Sequence, residues 1–321
     1  MAAGLRRPAD PSPAVHAPTN HSTTTIDPNA KRLLDPEAIS KAEALGINAR
    51  FVVEGYMAGE HKSPYRGFAI EFSQHREYAQ GDDVRHLDHK VLARTERHYI
   101  KQYEQETNFV AHLLVDASES MSYKSGEISK LDYAKQVAAC FAYLIIQQRD
   151  AVALGVFDEE VHEYIPRSDN RSTLFNIMNR LASIEPRRET DTAAVLHGMA
   201  KQLRRKGIVI IISDFFDDED KVLEGIQHLR YGGHEVIAIQ ILDPYEKEFP
   251  FNGLVEFQGL ENLPRLKTRP NEIRKTYLEE FGAFQEKLRR GLEKNQCHFR
   301  SFDTGQPLHE ALTAYLAFRA R

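Results

Sequence analysis

The amino-acid sequence predicts an α/β fold in which a mostly parallel sheet is covered by helices on both faces. From about residue 108 onward, short apolar runs alternate with longer stretches whose apolar residues recur at helical spacing. The run that follows Gly207 contains five β-branched residues in a row, as expected of a strand buried on both faces. Strands that alternate with amphipathic helices are typical of parallel sheets, and their right-handed connections bring the strand-to-helix loops to one edge.

The predicted elements follow one another in a regular order. Strands are predicted at residues 109–115, 152–157, 161–165, 207–212, 236–242 and 297–302. Helices are predicted at residues 130–148, 172–181, 192–203, 218–229, 271–294 and 308–318, and residues 249–268 are interpreted as a hairpin-type insertion. Because ligands of such folds bind beyond the carboxyl ends of the strands, a site is expected in the loops after Val115 and Ile212.

The chain divides into three segments. Residues 1–30 are rich in Ala, Pro, Thr and His without apolar periodicity and are interpreted as a disordered tail. Residues 31–107 form an N-terminal α+β extension, with one or two helices between about residues 36 and 58, then short strands and a helix near Val91. Residues 108–321 form the α/β domain.

Composition limits the function classes. The chain has 321 residues and a formal net charge of -5, so neither nucleic acid nor an anionic membrane is an expected partner. No apolar run approaches the roughly 20 residues that span a bilayer, and no apolar stretch follows Arg6 and Arg7 as in a secretory signal. Cys140 and Cys297 are far apart, which favours free thiols in a reducing compartment. We therefore expect a soluble cytoplasmic protein.

A cluster of hard oxygen donors follows the first strand of the domain. Asp116, Ser118 and Ser120 alternate along a loop, and alternate residues of an extended loop point to the same side. A carboxylate and two hydroxyls suit Mg²⁺ or Mn²⁺ and leave an octahedral ion about half coordinated. Two further donors come from other loops, Thr190 and Asp214, the latter directly after the β-branched strand.

The same residues have a purely structural interpretation. Serine and aspartate after a strand often cap the following helix. The acidic residues from Asp217 to Asp220 precede or begin a predicted helix, where negative charge is favourable, so we assign them to the helix start. Asp214 is kept as a candidate ligand because it ends the strand itself.

The motif Asp-x-Ser-x-Ser, with a later threonine and an aspartate after the fourth strand, resembles the metal-ion-dependent adhesion site of von Willebrand factor A domains. The resemblance implies a von Willebrand factor A-like (Rossmann-like) fold over about residues 108–321. It also implies an ion with one open position, which an acidic side chain of a protein partner fills. Glu189 stands where that family has glycine, so Thr190 and Thr192 are both candidates for the threonine ligand. The matched positions are Asp116, Ser118, Ser120, Thr190 and Asp214.

The segment before the domain is similar to the bacterial domain of unknown function 58 family. The matching stretches are Tyr65 to Phe72, Arg76 to Tyr78, Gly81 to Arg85 and Ala93 to Thr95. This resemblance implies association with AAA+ ATPases of the MoxR type, and hence a role as an adaptor or substrate-recognition subunit in protein or complex maturation.

An enzyme is the alternative function. A Mg²⁺-dependent phosphatase would use Asp116 as the nucleophile at the end of the first strand. Phosphatases of the haloacid dehalogenase type place an acid/base aspartate two residues later, where this chain has Ser118. Since serine cannot do that work near neutral pH, the sequence favours a binding module and predicts no catalytic residue.

Overall fold

A six-stranded sheet forms the centre of this computed structural model, which describes residues 30, 32–37, 39–40, 70–78, 88, 91, 94, 97–105, 110–186, 191–258 and 265–319. Its strands are β3 (Val110–Asp116), β4 (Ala151–Phe157), β5 (Val161–Ser168), β6 (Ile208–Ser213), β7 (Glu235–Leu242) and β10 (His298–Asp303). Their order in the sheet is β10-β7-β6-β3-β4-β5, and all neighbours run parallel except the antiparallel edge pair β4 and β5.

Helices cover both faces of the sheet. The α-helices of the domain are α1 (Lys130–Gln147), α2 (Arg171–Ser183), α3 (Thr192–Gln202), α4 (Glu219–Tyr231), α5 (Pro244–Glu248), α6 (Pro270–Lys294) and α7 (Leu308–Arg319). One apolar core lies between the sheet and α1, α2 and α7. A second core lies between the opposite face and α3, α4 and α6.

The central strands are buried on both faces, which explains their apolar sequences. Every residue of β3 and of β6 is buried. Successive side chains of a strand point to opposite faces, so Leu113 joins the first core and Leu114 the second. Each such side chain contributes about 1.5–3 kcal/mol through the hydrophobic effect. The predicted α/β fold class, with a mostly parallel sheet between two helical layers, is therefore confirmed.

Smaller elements complete the described part of the chain. Strands β1 (Ile70–Glu77) and β2 (Tyr99–Gln105) form an antiparallel pair within the N-terminal extension. Strands β8 (Val255–Phe257) and β9 (Leu266–Thr268) pair antiparallel within residues 249–268, the stretch interpreted from the sequence as a hairpin-type insertion. The short helix α5 was not expected from the sequence. The predicted tail before Ala30 and most of the predicted helical stretch at 36–58 lie outside the described residues.

Cys140 and Cys297 are both buried and free. No helix within the described ranges combines the length and the apolar character needed to cross a membrane.

The parallel strands bring aspartates to one edge of the sheet. Strands β3 and β10 end on Asp116 and Asp303, and an aspartate directly follows each of β4, β6 and β7. The antiparallel strand β5 ends at the opposite edge, where Asp169 follows it. The fold thus concentrates carboxylates where the sequence predicted a site.

The start of β6 offers a direct test of the strand packing. A Cβ atom at Gly207 would lie 2.4 Å from the carbonyl oxygen of Val110, which belongs to the neighbouring strand β3. Because the backbone cannot yield without disturbing the sheet, Gly207→Ala should lower the free energy of unfolding by about 1–3 kcal/mol. Gly198 in α3 has open space at its Cβ position, so Gly198→Ala should raise stability by up to about 1 kcal/mol. Urea denaturation measures the free energy of unfolding of both variants. Equal values for Gly207→Ala and Gly198→Ala would contradict the close packing of Gly207 against Val110.

Candidate metal centre

Asp116 is a fully buried carboxylate at the carboxyl end of β3. Its Oδ1 accepts a hydrogen bond from the backbone N–H of Ser118 at 2.9 Å, and its Oδ2 accepts one from the hydroxyl of Ser213 at 2.6 Å. Burial and, to a smaller extent, the nearby charge of Asp214 raise the pKa of Asp116 to about 7, although the hydrogen bonds from Ser213 and Ser118 act to lower it. An Asp116 carboxylate without a cation close by is therefore only partly ionised at neutral pH.

The two serines converge as the sequence predicted, but the loop is not extended throughout. Ser118 has extended backbone angles, whereas Ser120 lies in a 3₁₀ turn, Glu119–Ser122. The turn still brings the two hydroxyl oxygens to 3.0 Å from each other. Ser118 is the N-cap residue of that turn, yet its side chain makes no capping hydrogen bond. The capping interpretation therefore fails for Ser118, whose hydroxyl is directed to Ser120.

Asp214 directly follows β6 and is almost completely buried. Its Oδ1 accepts the backbone N–H of Phe216 at 3.0 Å, and its carbonyl oxygen accepts the side-chain amide of Gln240 at 3.0 Å. Phe215 has a φ of 59°, in the left-handed region that a bulky residue seldom adopts. This sharp turn is supported by the Ser213 hydroxyl, which accepts the N–H of Phe215 at 2.9 Å.

A lysine that the sequence analysis did not single out completes the charge pattern. Lys130, the first residue of α1, is 1% exposed. Its Nζ donates to Asp214 Oδ2 at 2.7 Å and to Glu246 Oε1 at 2.6 Å. Burial lowers the pKa of Lys130, but the charges of Asp214 and Glu246 outweigh burial and raise it overall. Lys130 is therefore held as an ammonium ion beside Asp214.

A buried aspartate after β7 anchors the serine-containing loop. Asp243 Oδ2 accepts the backbone N–H of Ser125 at 2.7 Å, and its Oδ1 accepts that of Tyr245 at 2.8 Å. Asp243 also forms a capping box with Glu246 at the start of α5. The loop after β3 is thereby fixed to the loop after β7, which the sequence did not reveal.

The threonine ligand stays a prediction. Thr190 lies outside the described residues. Thr192, the alternative, is the fully buried first residue of α3, and its hydroxyl has no hydrogen-bond partner within the described part of the chain. Its backbone N–H donates to Asp217 Oδ2 at 3.0 Å. Asp217 therefore ties α3 to the loop after β6, and its Oδ1 also accepts the backbone N–H of Asp218 at the start of α4. The N-cap of α4 is Asp218.

The donor set suits a hard divalent ion. Oxygen ligands 2.0–2.1 Å from Mg²⁺ in an octahedron have neighbours about 2.9 Å apart, close to the separation of the Ser118 and Ser120 hydroxyl oxygens. Burial and, after it, the nearby charge of Asp214 raise the pKa of Asp116, and a cation would relieve the repulsion between the two carboxylates. No cluster of three or more histidine, cysteine or acidic side chains with metal-site geometry occurs in the described ranges. The candidate centre thus depends on hydroxyls as well as carboxylates.

Comparisons with known proteins identify the family. The family described as "Protein of unknown function DUF58" matches residues 74–287, well over half of the chain. The chain belongs to the DUF58 family. The chain is also similar to an uncharacterised protein of Mycobacterium tuberculosis (strain ATCC 25618 / H37Rv), with 26% identity over 257 residues that cover 78% of this chain and 77% of that protein.

Solved structures resemble this DUF58 chain more distantly. The conserved hypothetical protein BatB from Bacteroides thetaiotaomicron aligns with a TM-score of 0.43 and 16% identity, over 66% of this chain and 98% of that one. The VWA domain of SpRpn10 aligns with a TM-score of 0.37 and 11% identity, over 64% of this chain and 93% of that one.

The raised pKa of Asp116 predicts how stability without divalent ions depends on pH. In the unfolded chain this carboxyl ionises near pH 3.8, whereas in the folded chain it ionises near pH 7. The stabilising contribution of protonated Asp116 to the free energy of unfolding is fully present below the pKa of the unfolded chain. It is lost as the pH rises through the pKa of the folded chain. Between pH 5 and pH 8, Asp116 should therefore lower the free energy of unfolding by up to about 3 kcal/mol.

In the isosteric variant Asp116→Asn, the free energy of unfolding should fall less between pH 5 and pH 8, because the asparagine side chain cannot ionise. Urea denaturation of both proteins in EDTA at pH 5 and pH 8 measures the difference. An identical pH dependence of the two proteins would contradict this account of Asp116.

Proposed function

We propose that this DUF58 chain is a protein-binding module that holds one Mg²⁺ or Mn²⁺ ion and uses it to recognise an acidic side chain of its partner. The observation that carries the proposal is the convergence of four oxygen donors from two loops at one buried sheet edge. Asp116 and Asp214 end or follow neighbouring strands, and the hydroxyl oxygens of Ser118 and Ser120 lie 3.0 Å from each other in the loop directly after Asp116. Thr190, or Thr192 in its place, supplies the threonine of the proposed set.

The charge of the site supports recognition of an acid. When bound, the ion would supply a positive centre with a position open to the partner's carboxylate. Two of the four donors are neutral hydroxyls, and the charge of Asp214 is partly offset by Lys130. The protein ligands therefore do not fully neutralise a divalent ion, and a carboxylate from outside is attracted to it. Asp116, Ser118 and Asp214 hold and orient the ion from fixed positions.

A MoxR-type AAA+ ATPase system is the partner that membership of the DUF58 family suggests for this module. The chain would then act as an adaptor or substrate-recognition subunit in protein or complex maturation. The support here is the family resemblance, whereas the acidic character of the bound side chain follows from the donor set.

The affinity for Mn²⁺ tests the proposed centre. Isothermal titration should show one site per chain in the wild type, and Asp116→Asn should weaken binding by about 100-fold or more because it removes a charged ligand. Asp169→Asn is the matched control, since Asp169 is exposed and follows β5 at the opposite edge of the sheet. Unchanged affinity in Asp116→Asn would rule out this centre.

Recovery of partners from a lysate of the source organism tests the binding function. Wild type and Asp169→Asn should retain the same partner in Mg²⁺ and lose it in EDTA, and Asp116→Asn should not retain it in either buffer. The proposal further predicts an AAA+ ATPase among the Mg²⁺-dependent proteins. Recovery of the same proteins in all buffers would contradict metal-dependent recognition. Hydrolysis of a generic aryl phosphate by wild type and Asp169→Asn, but not by Asp116→Asn, would favour a phosphatase.

A further inference from the structure

A buried lysine lies where the candidate metal centre meets the loop after β7. The Nζ atom of Lys130 contacts Asp214 at 2.7 Å and Glu246 at 2.6 Å, so it joins residues that are 84 and 116 positions away in the chain. The ring of Phe216 lies beneath the ammonium, with its centroid 4.7 Å from Nζ, and the ring of Tyr123 lies 5.9 Å away. The lysine is therefore an enclosed cation and not a solvated surface group.

The contacts of Lys130 involve the proposed ligand itself. Of the two carboxylate oxygens of Asp214, Oδ1 accepts the N–H of Phe216 and Oδ2 accepts the ammonium of Lys130. A divalent ion that uses Asp214 must share this carboxylate with the lysine. Two cations on one buried carboxylate repel each other strongly, because the surroundings screen their charges less than water does.

Glu246 offers Lys130 a second anchor. Its Oε1 accepts the ammonium, while its Oε2 accepts the backbone N–H of Asp243. The carbonyl oxygen of Glu246 accepts the hydroxyl of Tyr277 at 2.9 Å, which fixes α5 against α6. The ammonium can therefore leave Asp214 and remain paired with Glu246, so that release of Asp214 does not leave a buried lysine without a partner.

We propose that Lys130 competes with the divalent ion for the carboxylate of Asp214. Through this competition, Lys130 sets the metal affinity of the site. The lysine compensates Asp214 when no ion is bound and is drawn towards Glu246 when an ion binds. Lys130 is thus a positioning residue that tunes the affinity through Asp214. This inference rests on the proposed function, in which Asp214 is a metal ligand.

Mn²⁺ titrations of four proteins test the competition: wild type, Lys130→Met, Glu246→Gln and the double variant Lys130→Met/Glu246→Gln. Lys130→Met should bind Mn²⁺ at least about tenfold more tightly than wild type, because the repelling cation is gone. Glu246→Gln should bind no more tightly than wild type, because Lys130 then pairs with Asp214 alone.

The double variant separates competition from overall charge. It loses one cation and one anion together, so its net charge at these positions equals that of the wild type. It should still bind Mn²⁺ several-fold more tightly than wild type, whereas equal affinity would show that net charge alone matters and would overturn the inference. Lys130→Met leaves Asp214 and Glu246 without their cation, and thermal unfolding in EDTA would show whether it still folds. If it does not fold, the comparison of the double variant with wild type tests the competition.

The outcomes distinguish this inference from the proposed function. If wild type and the variants that lack Lys130 bind Mn²⁺ equally well, the centre stands and the competition is wrong. If only the variants that lack Lys130 bind Mn²⁺, the lysine excludes the ion from the natural protein, which supports the competition and overturns the proposed function. Absence of binding in all four proteins overturns both.

Discussion

The burial of two neighbouring carboxylates is the constraint on which the rest of this site depends. Asp116 and Asp214 lie at the ends of adjacent strands, almost without solvent contact. Buried negative charges are costly unless they are compensated by hydrogen bonds, protonation or a cation. The chain uses all three means, because Ser213 donates to Asp116, the pKa of Asp116 is raised, and Lys130 pairs with Asp214.

The surrounding structure holds these carboxylates in place. The apolar strands β3 and β6 fix the positions of Asp116 and Asp214, and the left-handed turn at Phe215 redirects the chain directly after β6. Asp243 attaches the loop after β3 to the loop after β7, which lies beyond β6 on the same edge of the sheet. Such attachment keeps hydroxyl and carboxylate oxygens in fixed relative positions, which a small ion with strict octahedral geometry requires.

Much of this arrangement was predictable from the sequence, for identifiable reasons. The β-branched run from Ile208 to Ile212 and the alternation with helices specify a buried parallel strand. The positions of Asp116 and Asp214 then follow from strand ends alone. Helix α5 was missed although its start carries a recognisable signal, since Asp243 is followed by Pro244 and, three residues after the cap, by Glu246.

Other features depend on contacts between distant parts of the chain. Lys130 has the sequence pattern of an ordinary lysine at a helix start, and only the fold brings Glu246 to it from 116 residues away. The convergence of Ser118 and Ser120 was predicted from an extended loop, whereas a 3₁₀ turn produces it. Local spacing therefore predicted the candidate donors but neither the backbone that positions them nor the lysine that pairs with Asp214.

The most direct test of the central claim is anomalous diffraction from crystals of the wild-type protein grown with Mn²⁺. A single strong peak within ligand distance of the Ser118 and Ser120 hydroxyls, on the side that faces Asp116 and Asp214, is the predicted result. A peak elsewhere, or no peak while Lys130 still bridges Asp214 and Glu246, would contradict the claim that this sheet edge holds a divalent ion.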